Sequence, residues 1–277
     1  MKMNRTVTSI LLVCLLVVLN ACVCTTGTSN TVPDQSGIQK ILDRGELIVG
    51  TEGNMPPFNM ITKGGQLIGI EIDMATRMAE ELGVPVRFET MPFTDLAAAL
   101  ESGAVDMVLS NVTITPKRNL RFAFVGPYFV TTKSILTKKE AIAKAASADA
   151  INRSEIRLAA KKGTTSQIFA EEKLPEVKLT LVEKYGEAVE MLRKDEIDGM
   201  VADYPICAIE ILKNPSDGFV TVITPFTVER IGIALPPRDA HLINWTENFL
   251  ANLKSTGELN AIKEKWITNR YWLDDLK

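Results

Sequence analysis

The sequence predicts an α/β fold built as two similar lobes, and three observations carry that prediction. Apolar runs of strand length alternate with amphipathic stretches of helix length through most of the chain. Glycines stand where the helical periodicity stops. Two segments, "LESGAVDMVLSN" (Leu100 to Asn111) and "LRKDEIDGMVAD" (Leu192 to Asp203), repeat one pattern without a gap.

The elements follow in order. Lys2 and Arg5 precede the apolar run "ILLVCLLVVL", which is too short for a membrane span, so residues 1–21 predict an export signal. That signal ends in "LNAC", the pattern of a bacterial lipoprotein cleavage box, with Cys22 as the lipidated residue; an ordinary secretory signal with an incidental cysteine is the alternative. Residues 22–36, rich in Thr, Ser and Gly, predict a flexible tether.

Folded structure then begins at about Gly37. "IQKILDRG" predicts a short helix ended by Gly45, "ELIVGT" a buried strand, and "FNMITKGGQLIGI" a hairpin turning at Gly64-Gly65. "EIDMATRMAEELG" predicts an amphipathic helix closed by Gly83, followed by the strand "VPVRFETM" and the helix "TDLAAALESG". In the repeated pattern a helix end, a short loop and an Asp lead into an apolar strand. Alignment puts Asp106 on Asp198 and Asn111 on Asp203, each strand delivering a polar residue at its carboxyl end, the edge where open α/β sheets bind ligands.

Composition excludes several classes of function. At 277 residues, 46% hydrophobic and 23% charged, the chain is an ordinary globular one. Its net charge is −3, or −5 once Lys2 and Arg5 leave with the signal, with no basic patch to suggest nucleic acid. Of four cysteines, Cys14 lies in the signal, Cys22 takes lipid, Cys24 lies in the tether and Cys207 stands alone, so no disulfide framework is expected. No P-loop, nucleotide fingerprint, nucleophile elbow or zinc spacing occurs, and neither metal nor cofactor is expected. His241, the single histidine, lies in a predicted surface helix; Trp245, Trp266 and Trp272 are expected to pack.

Five motifs in order resemble the bacterial extracellular solute-binding proteins, family 3, which deliver polar amino acids to ABC importers. They are "GTEGNMPPFNM" followed by "GIEIDMATRMAEELG"; "MPFTDLAAALESGAVDMVLSNVTITPKR"; "KKGTTSQIF"; "GMVADYP"; and "LKSTGELNAIKEKW". The resemblance implies a two-lobed periplasmic-binding-protein type II fold with a ligand cleft between lobes joined by two crossover strands. It places lobe 1 at residues 37–131 and 230–277 and lobe 2 at 132–229. It implies an amino-acid ligand, an ABC permease as partner, no catalysis, and an exported protein held at a membrane by its N-terminal lipid.

By the same resemblance Arg118 holds the ligand's α-carboxylate, Thr113 helps to place the ligand, Ser110 is a further ligand-binding position, and Asp203 holds the α-ammonium. An Arg supplies a planar fork of donors that Lys cannot imitate. Asp203 also suits a helix N-cap for "PICAIEILK". "GTTS" opens a helix whose free N–H groups, with Thr164 and Thr165, can face a carboxylate. Phe93 matches a residue packing along the ligand, and Glu52 and Met55 match the side-chain pocket. Met55 departs from the usual aromatic there, leaving an aromatic sandwich in doubt. Asn111, Lys161 and Lys162 are further side-chain candidates. Glu52 suits a basic ligand and Lys161 an acidic or amide one, so the ligand stays open. The fold also serves cyclohexadienyl dehydratase-like enzymes, which carry a Glu shortly after the lobe-2 Asp; here Tyr204, Pro205 and Ile206 follow, with no acid until Glu210. A ligand-sensing subunit for a separate receptor is the third reading.

Overall fold

A computed structural model describes residues 36–222, 226–269 and 271–276. The predicted signal, the tether and Cys22 lie outside the described residues. Strands are numbered along the chain: β1 (Leu47–Thr51), β2 (Asn54–Met55), β3 (Asn59–Ile61), β4 (Leu67–Ile68), β5 (Val86–Thr90), β6 (Met107–Val108), β7 (Ala123–Thr131), β8 (Lys133–Thr137), β9 (Arg157–Lys161), β10 (Lys178–Val182), β11 (Gly199–Asp203), β12 (Val220–Thr221) and β13 (Glu229–Leu235).

Two five-stranded sheets result, ordered β5-β1-β6-β13-β7 and β10-β9-β11-β8-β12. In each, the first three strands are parallel and the fourth runs antiparallel to its neighbours. The two orders match position for position, although the fourth and fifth strands enter from different places in the sequence. A small antiparallel sheet, β2-β3-β4, contains the predicted hairpin.

The chain passes between the sheets twice, from β7 into β8 and from β12 to β13. These passages lie side by side. Glu229 pairs with Thr131, Lys133 donates its N–H to Thr227 Oγ1 at 3.0 Å, and Thr227 donates its own to Thr132 Oγ1 at 3.3 Å.

Period-two alternation explains the cores. In the second sheet Leu136, Ala159 and Met200 pack with Ala188, Leu192 and Ile206 on one face, while their neighbours Ile135, Ala160 and Val201 pack with Phe169 and Leu174 on the other. Helices Tyr185–Arg193 and Tyr204–Lys213 supply the first set and helix Thr165–Lys173 the second, so both faces are dry. Truncating one such side chain to Ala costs about 2–5 kcal/mol. The first sheet behaves likewise, with Leu47 and Val49 in one cluster and Ile48 in another.

Helices end as their residues dictate. Gly45, Gly83 and Gly103 adopt left-handed caps that return N–H groups to the last carbonyls. Gly69, at φ +135°, is required for a second reason: a Cβ there would stand 2.3 Å from the Phe58 carbonyl oxygen. The helix Ile70–Leu82 therefore starts hard against the loop before it, which places Glu71 in the interior. His241 is exposed, with Nδ1 3.3 Å from Ser36 Oγ. Trp245 stacks on Phe249, and Trp266 meets Trp272 edge-on, as expected for packing residues. Burial pushes the Cys207 thiol up to about 12, making it inert. Among the described residues no helix is long and apolar enough to cross a membrane.

Candidate functional site

The carboxyl ends of the parallel strands in the two sheets face each other, and the polar residues predicted from the sequence gather there. β1 runs out into Glu52 and β6 into Ser110, Asn111 and Thr113; β9 ends on Lys161 and β11 on Asp203. Most of these residues are buried. The contacts cross from one sheet's loops to the other's: Asn111 Nδ2 donates to Asp203 Oδ2 at 2.7 Å, Thr113 and Thr165 hydroxyls meet at 3.2 Å, and Lys161 forms an ion pair with Glu52.

Asp203 does not cap the helix that follows it. It occupies the N-cap position, but its side chain makes no cap hydrogen bond. Its carboxylate is claimed by Asn111 and by the ammonium of Lys133, a fully buried cation at the start of β8. Lys133 also lies 3.4 Å from Glu229, whose two oxygens accept from Thr227 at 2.9 Å and Thr165 at 3.0 Å. Burial alone would raise the Glu229 carboxyl, but Lys133 and these hydroxyls outweigh it and hold the group below its usual value. Lys133, Asp203 and Glu229 thus form a buried trio with one more carboxylate than cation. Sequence reasoning missed Lys133 and Glu229; the one available signal was a charge at the mouth of each apolar strand, "KSILT" and "ERIGIAL".

Arg118 sits on a short helix, Pro116–Asn119, capped by Thr115. Its guanidinium donates to the carbonyl oxygens of Thr113 (2.9 Å) and Gly163 (3.2 Å), and lies 5.6 Å from the centre of the Phe93 ring. Among the described residues it touches no carboxylate. Burial lowers its pKa, opposed by the negative charge of Glu229 and Asp203. A surface salt bridge, the ordinary use of such an arginine, is not what it makes.

The loop "GTTS" departs from expectation in detail. The N–H groups of Gly163, Thr164 and Ser166 are spent on Gln167 Oε1, the Lys161 carbonyl and Thr164 Oγ1. Thr164 is the helix cap, its hydroxyl also donating to the Lys161 carbonyl at 2.7 Å. What the loop leaves to the cleft is Thr165, whose hydroxyl meets that of Thr113 at 3.2 Å and whose N–H has no hydrogen-bond partner among the described residues. Gly163, at φ +74°, approaches Phe93 and Thr94 from the other sheet, where a Cβ would stand 3.2 Å from Thr94 Cγ2.

Asn111 is held in the left-handed region at φ 50°. The device that holds it was not legible from local sequence: the buried Glu71 carboxylate accepts from the Asn111 N–H at 2.6 Å, from Asn59 Nδ2 at 2.5 Å and from the Tyr128 hydroxyl. Burial raises Glu71, and these donors oppose it. With Nδ2 committed to Asp203, the buried Asn111 Oδ1 has no hydrogen-bond partner among the described residues. Ser110 is a positioning residue here, its Oγ accepting the Glu52 N–H at 3.0 Å.

The Glu52–Lys161 pair has side chains 6% and 1% exposed. Burial drives both toward their neutral forms, and each opposes that in the other; wherever the proton resides, the pair carries no net charge. The Lys161 ammonium lies 5.8 Å from the Phe93 ring and 5.2 Å from the Tyr185 ring. Aromatic faces therefore flank this spot despite Met55, which is buried against the second sheet's cluster. The second face comes from Tyr185, which sequence reasoning did not identify. Lys162 turns outward to Glu183 at 3.1 Å and is exposed. A recess of about 780 Å³ opens beside the pair, bordered by Glu52, Asn54, Thr94, Lys162 and Tyr185. A second, of about 250 Å³, is bordered by Phe93, Arg118 and Gly163. Among the described residues no cluster of His, Cys, Asp and Glu could hold a metal ion.

Known proteins resemble this chain in sequence and fold. The L-cystine-binding protein TcyJ of Escherichia coli K12 is 26% identical over 233 residues, covering 84% of this chain and 86% of its own. The ABC transporter arginine-binding protein 1 of the same organism is 27% identical over 220 residues, covering 78% and 88%. Among solved structures, the ancestral amino acid-binding protein AncCDT-1, described as a precursor of cyclohexadienyl dehydratase, is 35% identical with a TM-score of 0.77, covering 84% of this chain and 100% of its own. A binding component of an ABC transporter from Wolinella succinogenes, complexed with lysine, is 31% identical with a TM-score of 0.79, covering 83% and 99%. With residues 47–269 matching the family model, the chain belongs to the bacterial extracellular solute-binding proteins, family 3.

Proposed function

We propose that this protein binds an α-amino acid between its two sheets and delivers it to an ABC importer. One observation carries the reading: the cleft holds complementary unspent groups on opposite sides. Arg118 is a desolvated guanidinium without a carboxylate, and the Lys133–Asp203–Glu229 trio, beside the unpartnered Asn111 Oδ1, has an excess of negative charge. An α-carboxylate and an α-ammonium on one carbon satisfy both, which desolvation otherwise makes costly by several kcal/mol per ion. Residues 37–131 with 230–277 form one lobe and 132–229 the other, closing on the ligand because it touches both lobes only when they meet. Asn111, Thr113, Arg118, Thr165 and Asp203 hold the amino-acid head, and Glu52, Met55, Phe93 and Lys161 form the side-chain pocket, with Ser110 positioning Glu52 and Thr164 supporting the loop.

A thermal-shift screen of the standard amino acids, followed by calorimetry of the best hit on Arg118→Lys, tests this. No stabilisation by any of them would refute it. Cys22 is the proposed lipid anchor, and mass spectrometry of the membrane fraction should find a lipid-modified N-terminal Cys22. The likeness to AncCDT-1 keeps one other reading open, a dehydratase. Elimination needs a protonated cleft acid, yet the first acid after Asp203 is Glu210, bonded to Lys213 and Asn214. Prephenate or arogenate incubated with the purified protein should therefore give no aromatic product; turnover lost on changing one cleft carboxylate would reverse the assignment.

A further inference from the structure

We infer that this cleft selects amino acids with uncharged side chains, and that Lys161, through its pairing with Glu52, is the residue that excludes arginine and lysine. The inference rests on the amino-acid reading above and adds the class of ligand.

It follows first from the charges. The buried or nearly buried ionisable groups where the sheets meet are Arg118, Lys133 and Lys161 against Glu52, Asp203 and Glu229, with Glu71 behind Asn111 and its carboxyl spent on Asn111, Asn59 and Tyr128. Arg118 and the trio's surplus carboxylate match a carboxylate and an ammonium, the two charges every α-amino acid carries. What remains is Glu52 with Lys161, which sums to zero. A third charge on the ligand finds no counter-charge left over. Of the other charged residues nearby, Asp95, Lys162, Glu183 and Lys184 are exposed, where water and salt screen them, and the buried Glu210 carboxylate is taken by Lys213 and Asn214.

It follows second from position. The Phe93 ring has the Arg118 guanidinium 5.6 Å from its centre and the Lys161 ammonium 5.8 Å from it. A ligand lying along this ring with its carboxylate on Arg118 directs its side chain toward Lys161. A guanidinium or ammonium arriving there must take Glu52 away from Lys161, leaving a buried lysine unpaired. A carboxylate must take Lys161 away from Glu52, with the same result for the acid. Breaking one side of a desolvated pair is far more costly than leaving the pair intact. An uncharged side chain can lie between Phe93 and Tyr185 and hydrogen-bond to the pair without separating it.

The pair is built into the scaffold. Ile48 exchanges hydrogen bonds with Asp106, its N–H to Oδ2 and its carbonyl to the Asp106 N–H; Arg157 does the same with Asp198. Glu52 lies four residues beyond Ile48 and Lys161 four beyond Arg157. The two therefore occupy the same position in the two half-sheets. Glu52 is further fixed by Ser110 Oγ, so both charges arrive from strand ends that the sheets hold in place.

Calorimetry of the wild type against glutamine, serine, leucine, arginine, lysine and glutamate is the first test. At least one uncharged amino acid should bind on the order of a hundredfold more tightly than arginine, lysine or glutamate, given the cost of an unpaired buried ion. Lys161→Met frees Glu52 and should raise the ratio of arginine to neutral affinity by about tenfold or more. Glu52→Gln frees Lys161 and should raise the ratio for glutamate in the same way, and it decides the matter should Lys161→Met not fold by circular dichroism. Glu52→Gln with Lys161→Met removes both charges and should restore the neutral preference. Arginine or lysine binding the wild type as tightly as any neutral amino acid would overturn this inference alone, as would an arginine ratio unmoved in folded Lys161→Met or a glutamate ratio unmoved in Glu52→Gln. If no amino acid binds the wild type, the amino-acid assignment falls and this inference falls with it.

Discussion

The two half-sheets are built to one plan and differ in what they place at its end. In the first, Asp106 accepts the Ile48 N–H at 2.7 Å and pairs with Arg44; in the second, Asp198 accepts the Arg157 N–H at 2.8 Å and is surrounded by Arg157 and Lys139. Five residues on, the first presents Asn111 and the second Asp203, which bond to each other. Four residues past Ile48 and Arg157, the first presents Glu52 and the second Lys161, which also pair. Equivalent positions meet across the cleft. A repeated scaffold thus needs only a change of residue type at two places to become self-complementary, and the supporting charge differs accordingly: Asn111 is held through its backbone by Glu71, whereas Asp203 is held through its carboxylate by Lys133.

Removing Lys133 attacks this comparison most severely. Lys133→Met leaves Asp203 and Glu229 buried together without their shared cation, and unfolding in urea should show a loss of about 3–5 kcal/mol. A neutral effect would mean that the trio is not what holds this side of the cleft together. Next comes the opposite anchor. Arg118→Lys keeps the charge but loses the fork, and calorimetry should show an affinity loss on the order of 2–5 kcal/mol with folding unchanged. Equal binding by this variant would take the carboxylate role from Arg118.

The paired aspartates allow a finer test. Asp198→Asn should cost about 1.5–3 kcal/mol, since several charged donors converge on it, and Asp106→Asn less, because among the described residues its one charged partner is Arg44. Burial on its own would raise the Asp198 carboxyl, but Arg157 and Lys139 hold it far below the usual range. A depressed folded value stabilises the protein above the unfolded pKa and fades as pH falls through the folded one. The gap between wild type and Asp198→Asn should accordingly narrow below about pH 4. A gap independent of pH would assign the loss to packing. The smallest effect belongs to Lys162, the neighbour of Lys161. Lys162→Ala breaks only an exposed pair and should change stability by under about 1 kcal/mol without altering ligand preference.

Much of this was readable in advance. The patterns that make β1, β5, β6 and β11, the glycine caps, and the echo that aligns Asn111 with Asp203 are local, and local patterns survive in one dimension. Arg118 and Thr165 lie where loops of the two sheets meet, Arg118 on the Gly163 carbonyl and Thr165 on Thr113. The helix-capping alternative for Asp203 and the N–H groups offered by "GTTS" went differently, since each depended on which of several competing partners a polar group would reach.

What the sequence determined by itself was the menu: an α/β chain, two similar halves, and a charged or polar residue at each strand end. Only the tertiary structure decided the pairings. Lys133 reaches Asp203 from a strand that enters the second sheet antiparallel, Tyr185 supplies the aromatic face absent at Met55, and Glu52 finds Lys161 across the cleft. Read singly, Glu52 and Lys161 point to opposite ligands. Their contradiction disappears once they are neighbours, because a buried charge is defined by its partner, and partners from different sheets are assigned by how the sheets approach rather than by anything near either residue in the chain.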